Sequence, residues 1–191
     1  MSNRLRVVVG ISGASGAALG VRVAELLSEN DQCDVHLVVT RSAERTLRHE
    51  IGPNALSAVS ALVTHHHPNE DIGASIASGS FRTAGMIVAP CSIRTLSAIA
   101  AGAADNLLVR AADVQLKERR KLVLMVREAP LHLGHLRAMA AATEIGAIIA
   151  PPVPAFYQKP SSIFEMVDHI ARRTIDLLNL DLDISAREWE G

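Results

Sequence analysis

Two cysteines, Cys33 and Cys91, are all that 191 residues contain, too few for a disulfide framework, and this predicts a reducing, cytoplasmic setting. Aromatic residues are scarce at 3% of the chain, so any core must be aliphatic and alanine-rich, which suits helices packed closely on a sheet. Neither sign of charge dominates: 19 basic and 20 acidic residues leave a net charge of −1. That excludes nucleic acid or a membrane surface as the main partner. No apolar run approaches the roughly 20 residues needed to cross a bilayer. No charged-then-apolar leader precedes the first apolar run, so a soluble intracellular protein is expected. A metal site is not expected either. His65-His66-His67 are consecutive and cannot all face one ion, His132 and His135 flank Gly134, and no cysteine or carboxylate cluster joins them.

Apolar residues make up 49% of the chain, enough for one well-buried domain over residues 1–191. Short, β-branched, non-alternating runs at Leu5–Val9, Val35–Val39, Met86–Ala89, Leu122–Val126 and Ala147–Ala150 read as strands buried on both faces. Helical patterns fall between them, near Ala17–Ser28, Ala43–His49, Ile93–Ala101, Asn106–Lys117 and Leu133–Thr143, and an amphipathic helix follows from about Ser162 to Leu178. This alternation predicts an α/β fold, a Rossmann-like (flavodoxin-like) parallel sheet with helices on both faces. His65 to Ser80 reads as a long surface connection.

The first strand runs into Gly10-Ile11-Ser12-Gly13-Ala14-Ser15-Gly16 and then into a helix. A glycine turn there lets backbone approach an anion, with the unpaired N–H groups of the first helical turn aimed at it. Packing alone can also demand glycines at such a turn. The run lacks the Gly-Lys-Ser/Thr ending of a nucleoside-triphosphate loop and the G-x-G-x-x-G spacing of a dinucleotide site. The next strand ends in Thr40-Arg41, with no acidic residue for a dinucleotide ribose. A mononucleotide phosphate, such as that of FMN, fits better than NAD.

Ligands of such sheets bind outside the carboxyl ends of the strands, and the special residues collect there: the glycine run, Thr40, Pro90-Cys91-Ser92, Arg127-Glu128, and Pro151 to Tyr157. Ser92 is placed to cap a helix, with Thr95 one turn in. Cys91 reads as a small buried apolar residue. Arg110 and Lys117, seven apart on one helical face, are expected to point into the same site, whereas Arg119 and Arg120 fit favourable charge at a helix C-terminus. Arg127 and Glu128 follow a buried strand where the domain is expected to be dry, so each needs a partner or a ligand. One reading is a structural ion pair. The other has Arg127 holding an anion and Glu128 handling a proton. Tyr157 follows a proline-stiffened turn; Arg172 and Arg173 read at face value as solvated, with Arg173 placed to reach back towards the tyrosine as the alternative.

Taken together these segments resemble the flavin prenyltransferase family, the UbiX type, over nearly the whole chain. The resemblance rests on Gly13-Ala14-Ser15-Gly16, on Pro90-Cys91-Ser92 with Thr95, on Arg110-Ala111-Ala112-Asp113 and on Leu116-Lys117-Glu118-Arg119-Arg120. It continues through Val126-Arg127-Glu128-Ala129-Pro130-Leu131, Gly146-Ala147-Ile148-Ile149 and Pro151 to Tyr157. Ser78-Gly79-Ser80-Phe81-Arg82-Thr83 is similar to the branch that accompanies hydroxyaryl-acid decarboxylases.

The resemblance implies a subunit of a large homo-oligomer, often a dodecamer, with FMN at subunit contacts and residues 162–191 at those contacts. It implies transfer of a dimethylallyl group from dimethylallyl phosphate to N5 and C6 of reduced FMN, making prenylated FMN for a partner decarboxylase. Gly13, Ala14, Ser15, Thr40, Ser92, Ile93, Arg94, Thr95 and Arg127 would contact FMN. Lys117, Arg127, Tyr157 and Arg173 would hold the allylic phosphate. Glu128 with Ser15 would manage the proton lost from the ring, with Glu50 and Arg110 in support. Trp189 resembles a tryptophan near the family's C-terminus that covers a neighbouring site. Thr40 stands where the family commonly has serine and keeps the hydroxyl.

The chemistry agrees. Breaking an allylic C–O bond leaves a phosphate and a carbocation, so fixed cations are needed at one and a π-rich wall at the other; the flavin ring supplies much of that wall. Diphosphate-using prenyltransferases need magnesium held by clustered aspartates, which this chain lacks. A cysteine decarboxylase of similar shape would carry a Pro-Ala-Ser-Asn-type motif where Pro90-Cys91-Ser92-Ile93 stands. A non-catalytic FMN-binding accessory subunit would need neither Glu128 nor the phosphate set.

Overall fold

The computed structural model describes residues 4–187; Trp189 lies outside them. Six parallel strands form one sheet: β1 Leu5–Ile11, β2 Cys33–Val39, β3 His65–His67, β4 Gly85–Cys91, β5 Lys121–Val126 and β6 Ile148–Ile149, in the order β3-β2-β1-β4-β5-β6. The register is unbroken along β1 and β2, from Leu5 opposite Cys33 to Ile11 opposite Val39. Strand order reverses between β1 and β4, the position at which doubly wound sheets open a crevice at their carboxyl edge.

The helices are α1 Ala17–Ser28, α2 Arg41–Glu50, α3 Ala55–Leu62, α4 Ile93–Ala100, α5 Leu107–Lys117, α6 Leu133–Glu144 and α7 Ile163–Asp176. Alternation along each strand divides the core in two. Val7, Val9, Ile11, Leu37 and Ile87 pack under α1, α2 and α7, while Val8, Val38, Met86, Val88 and Leu124 pack under α4 and α5. The Val-, Ile- and Leu-rich strands are buried on both sides because helices cover both faces, as the continuous apolar runs predict.

The segment expected to be a surface connection differs. His65–His67 is the edge strand β3, parallel to β2 with His36 opposite His65, and Ser75–Ala77 forms a single 3-10 turn. A polar three-residue edge strand carries no hydrophobic period to announce it. His36 lies buried beneath this edge, its Nδ1 2.9 Å from His67 Nε2 and its ring edge-on to Phe81, over which Arg6 lies. Burial, with the neighbouring His65 and His67, lowers the His36 pKa to about 4. Helix α3, after the Gly52-Pro53-Asn54 break, is also an element the sequence reading did not include.

Candidate functional site at the carboxyl edge of the sheet

At the start of α1 the N–H groups of Gly16 and Ala17 are not bare. Glu50, the last residue of α2, turns its carboxylate onto the start of α1: Oε2 accepts from Gly16 N at 2.9 Å and Ala17 N at 2.8 Å, and the Ser15 hydroxyl bonds to it as well. Burial raises the Glu50 pKa, but these bonds and the Arg127 charge outweigh it and hold the carboxyl below its ordinary range. The expectation that the first-turn N–H groups await a phosphate is therefore corrected at Gly16 and Ala17. A protein carboxylate already satisfies them, as the helix dipole favours. Gly16 sits at φ 102°, a conformation that favours glycine. Gly13 is required by packing, since a Cβ there would lie 2.4 Å from Ser42 Cβ.

The next strand ends are capped in the same style. Thr40 Oγ1 accepts from Ala43 N at 3.2 Å at the start of α2. Ser92 Oγ accepts from Thr95 N at 3.3 Å and donates to Thr95 Oγ1 at 3.1 Å at the start of α4, with Ile93 the first residue of that helix. Ala14 belongs to the loop after β1 and is buried.

A residue the sequence reading left unassigned ties these loops together. Ser12 is buried, its hydroxyl donating to Pro90 O at 2.9 Å and accepting from Ser92 N at 2.7 Å. Its only sequence signal is a serine directly at the end of a buried strand.

Arg127 and Glu128 follow β5 on the same edge, but both are exposed, which corrects the expectation of a dry position. The chain turns outwards as the strand ends, so the burial of Val126 does not extend to its successors. Arg127 N donates to Cys91 O at 3.1 Å, which fixes the backbone beside Ser92. Glu128 Oε1 accepts from Ala129 N at 3.0 Å. The two do not form an ion pair with each other, and among the described residues no ion pair is recorded for Arg127. Its charge is felt at Glu50.

Tyr157 and Arg173 line one cavity with His169, Pro151 and Val153. Arg173 is turned towards Asp176 at 3.8 Å, while Arg172 is held by Asp168 at 2.8 Å rather than solvated.

The remaining expected residues stand apart. Arg94 is exposed and paired with Asp105 at 2.9 Å. Arg110 pairs with Asp113 at 2.6 Å and donates to Ala77 O. Lys117 is paired with Glu118 at the far end of α5, against Gly79. Seven helical residues span about 10 Å, and α5 runs against the strands, so Arg110 and Lys117 do not converge within one protomer. Arg120 is structural: it donates to Gly79 O at 2.6 Å, Phe81 O at 3.0 Å and Thr83 Oγ1 at 3.3 Å, clamping the loop before β4. Cys91 is fully buried with its thiol pKa pushed up by burial. No cluster of His, Cys, Asp or Glu among the described residues could hold a metal ion. None of the described helices is long and apolar enough to cross a membrane.

At this edge hydroxyls, helix starts, an arginine and two carboxylates meet at the switch point of the sheet, a donor set suited to a phosphorylated, planar ligand. Comparison with known proteins points the same way. Residues 1–172 match the Flavoprotein family. The flavin prenyltransferase UbiX of Thauera aromatica is 52% identical over 187 residues, covering 98% of this chain and 95% of that protein. The crystal structure of AnUbiX (PadA1) in complex with FMN and dimethylallyl pyrophosphate superposes with a TM-score of 0.93 at 46% identity, covering 98% of both chains. A dodecameric FMN-dependent UbiX-like decarboxylase from Escherichia coli O157:H7 does so with a TM-score of 0.93 at 45% identity, covering 98% of this chain and all of that one. Likeness on this scale, over the edge of the sheet as well as its core, makes the chain a member of the UbiX flavin prenyltransferase family.

Proposed function

We propose that this protein joins a dimethylallyl group from dimethylallyl phosphate to N5 and C6 of reduced FMN and releases prenylated FMN to a partner decarboxylase. The observation that carries this reading is 52% identity, over 98% of the chain, to a protein named a flavin prenyltransferase. FMN would lie across the switch point, against Gly13, Ala14, Ser15, Thr40, Ser92, Ile93 and Thr95, with Arg127 as a further contact and Arg94 joining it on leaving Asp105. It supplies the nucleophilic ring and the π-surface on which the allylic cation is captured.

The chain's own residues would do the rest. Arg127, Tyr157 and Arg173 hold the departing phosphate, each charge-assisted bond contributing roughly 1.5–3 kcal/mol. Glu128 takes the ring proton with Ser15, and Glu50 fixes Ser15 through the bond they share. The exposure of Arg127 and Glu128 supports this, because solvated charges at a site mouth are available to a ligand. Arg110 stands in support.

Lys117, at the other edge of the protomer's sheet, is assigned to the site of a neighbouring copy. A homo-oligomer, of dodecameric size as in the Escherichia coli relative, would supply that contact. Ile163 and Phe164 are large apolar side chains left exposed, as subunit contacts made by residues 162–191 would require. Residues 1–191 form a single flavoprotein domain in this reading, working in the cytoplasm without metal.

Anaerobic incubation with reduced FMN and dimethylallyl phosphate, followed by mass spectrometry of the released flavin, tests the proposal. A flavin heavier by one dimethylallyl unit is the expected result. Unmodified flavin with both the phosphate and the pyrophosphate donor would overturn it in favour of an accessory flavoprotein.

A further inference from the structure

We propose that Ser12 is a positioning residue for the flavin: its hydroxyl holds the β1–α1 and β4–α4 loops at the separation at which both can grip one ligand. The inference rests on the assignment of FMN to the switch point. Every polar group of Ser12 is engaged there. Its N–H donates to Pro90 O at 3.2 Å, its carbonyl accepts from Ala14 N at 2.9 Å, and its hydroxyl bridges Pro90 O and Ser92 N. Ser92 in turn caps α4 through Thr95. A continuous chain of bonds thus runs from the loop carrying Gly13, Ala14 and Ser15 to the first turn of α4.

The geometry sets the two loops apart from the strands beneath them. Register pairing between β1 and β4 runs from Val7 opposite Gly85 to Gly10 opposite Val88, and past Gly10 the chain is tied to β4 by the bond from Ser12 N–H to Pro90 O. There the Ser12 hydroxyl adds a side-chain link to Pro90 O and carries the connection on to Ser92 N, past the last residue of β4. An alanine at position 12 would leave Ser92 N–H without its acceptor in a partly buried place and free the α4 start to move away from the glycine loop. Because the ligand is gripped from both sides, a displacement of about an ångström disturbs contacts on both loops at once.

The test uses the full-length protein and oxidised FMN, so that turnover is not the readout. FMN dissociation constants, together with fluorescence and visible circular dichroism of the bound flavin, are measured for the wild type, Ser12→Ala and Ser12→Cys. Thr83→Val serves as the control, since it removes a hydrogen bond to Gln115 (2.8 Å) at the opposite edge of the sheet. Ser12→Ala is expected to weaken FMN binding by 10-fold or more and alter the flavin dichroism, with Ser12→Cys intermediate because a thiol is a weaker donor and acceptor. Thr83→Val is expected to lower the melting temperature while leaving FMN affinity within twofold. If the wild type binds no FMN, the site assignment itself fails. If the wild type binds and both Ser12 variants bind equally well with unchanged dichroism, or if Thr83→Val weakens binding as much, the positioning role is refuted. Should Ser12→Ala not fold, Ser12→Cys alone decides between the same outcomes.

Discussion

Acidification should loosen this fold through one buried imidazole. His36 is 3% exposed, and burial with the neighbouring His65 and His67 lowers its pKa from 6.5 to about 4. A group whose folded pKa is depressed is held neutral by the fold, so folding is opposed once the unfolded chain binds a proton that the folded chain refuses. Stability is therefore intact above about pH 6.5, falls as pH drops towards 4, and levels off below. Full titration of a 2.5-unit difference corresponds to about 3 kcal/mol, and at pH 5 the loss is about 2 kcal/mol. His66 and His67, also lowered chiefly by burial, act in the same direction. Other groups titrate as well, so the informative quantity is the difference between wild type and His36→Gln in unfolding free energy, from urea titrations at fixed protein concentration. Relative to the variant, the wild type should lose about 2 kcal/mol between pH 8 and pH 5. A difference that stays constant across that range would refute the argument.

Glu128→Gln should bind FMN with near-normal affinity yet lose 100-fold or more in prenylated flavin formed per minute, read by mass spectrometry; full turnover would remove the proton-handling role. Glu50→Gln weakens the cap on α1 and should cost about 1 kcal/mol in urea unfolding at pH 7. Because the folded Glu50 carboxyl titrates below its ordinary range, that contribution is present above the unfolded pKa and vanishes as pH falls through the folded one, so the gap between wild type and variant should shrink as the solution is acidified. Arg120→Ala strips a charged donor from three acceptors around the loop before β4. A loss of about 2 kcal/mol is expected, with faster proteolysis between residues 78 and 83 as the local readout.

The central strands and most helices were legible because helices cover both faces of the sheet, which demands unbroken β-branched runs between amphipathic stretches. What stayed hidden has specific causes. His65–His67 pairs by backbone alone at an edge, so its side chains leave no periodic trace. Spacing placed Arg110 and Lys117 on one face of a helix, about 10 Å apart along its axis, but not the direction in which that helix runs, and a helix antiparallel to the strands carries its last residue to the opposite edge of the sheet. The exposure of Arg127 and Glu128 depended on the direction in which the chain leaves β5, which the apolar run ending at Val126 does not encode. The role of Ser12 leaves no local trace because it lies in two bonds to residues 78 and 80 positions further on.

The two outermost strands contain only three and two residues, against six or seven for those between them. A newly made chain thus offers little backbone onto which another could zip, and neither border can template a growing ribbon. The polar imidazoles along one border further discourage sticking. The assembly with its own copies proposed above would proceed through the helical faces, with runaway sheet growth closed off by the brevity of the margins.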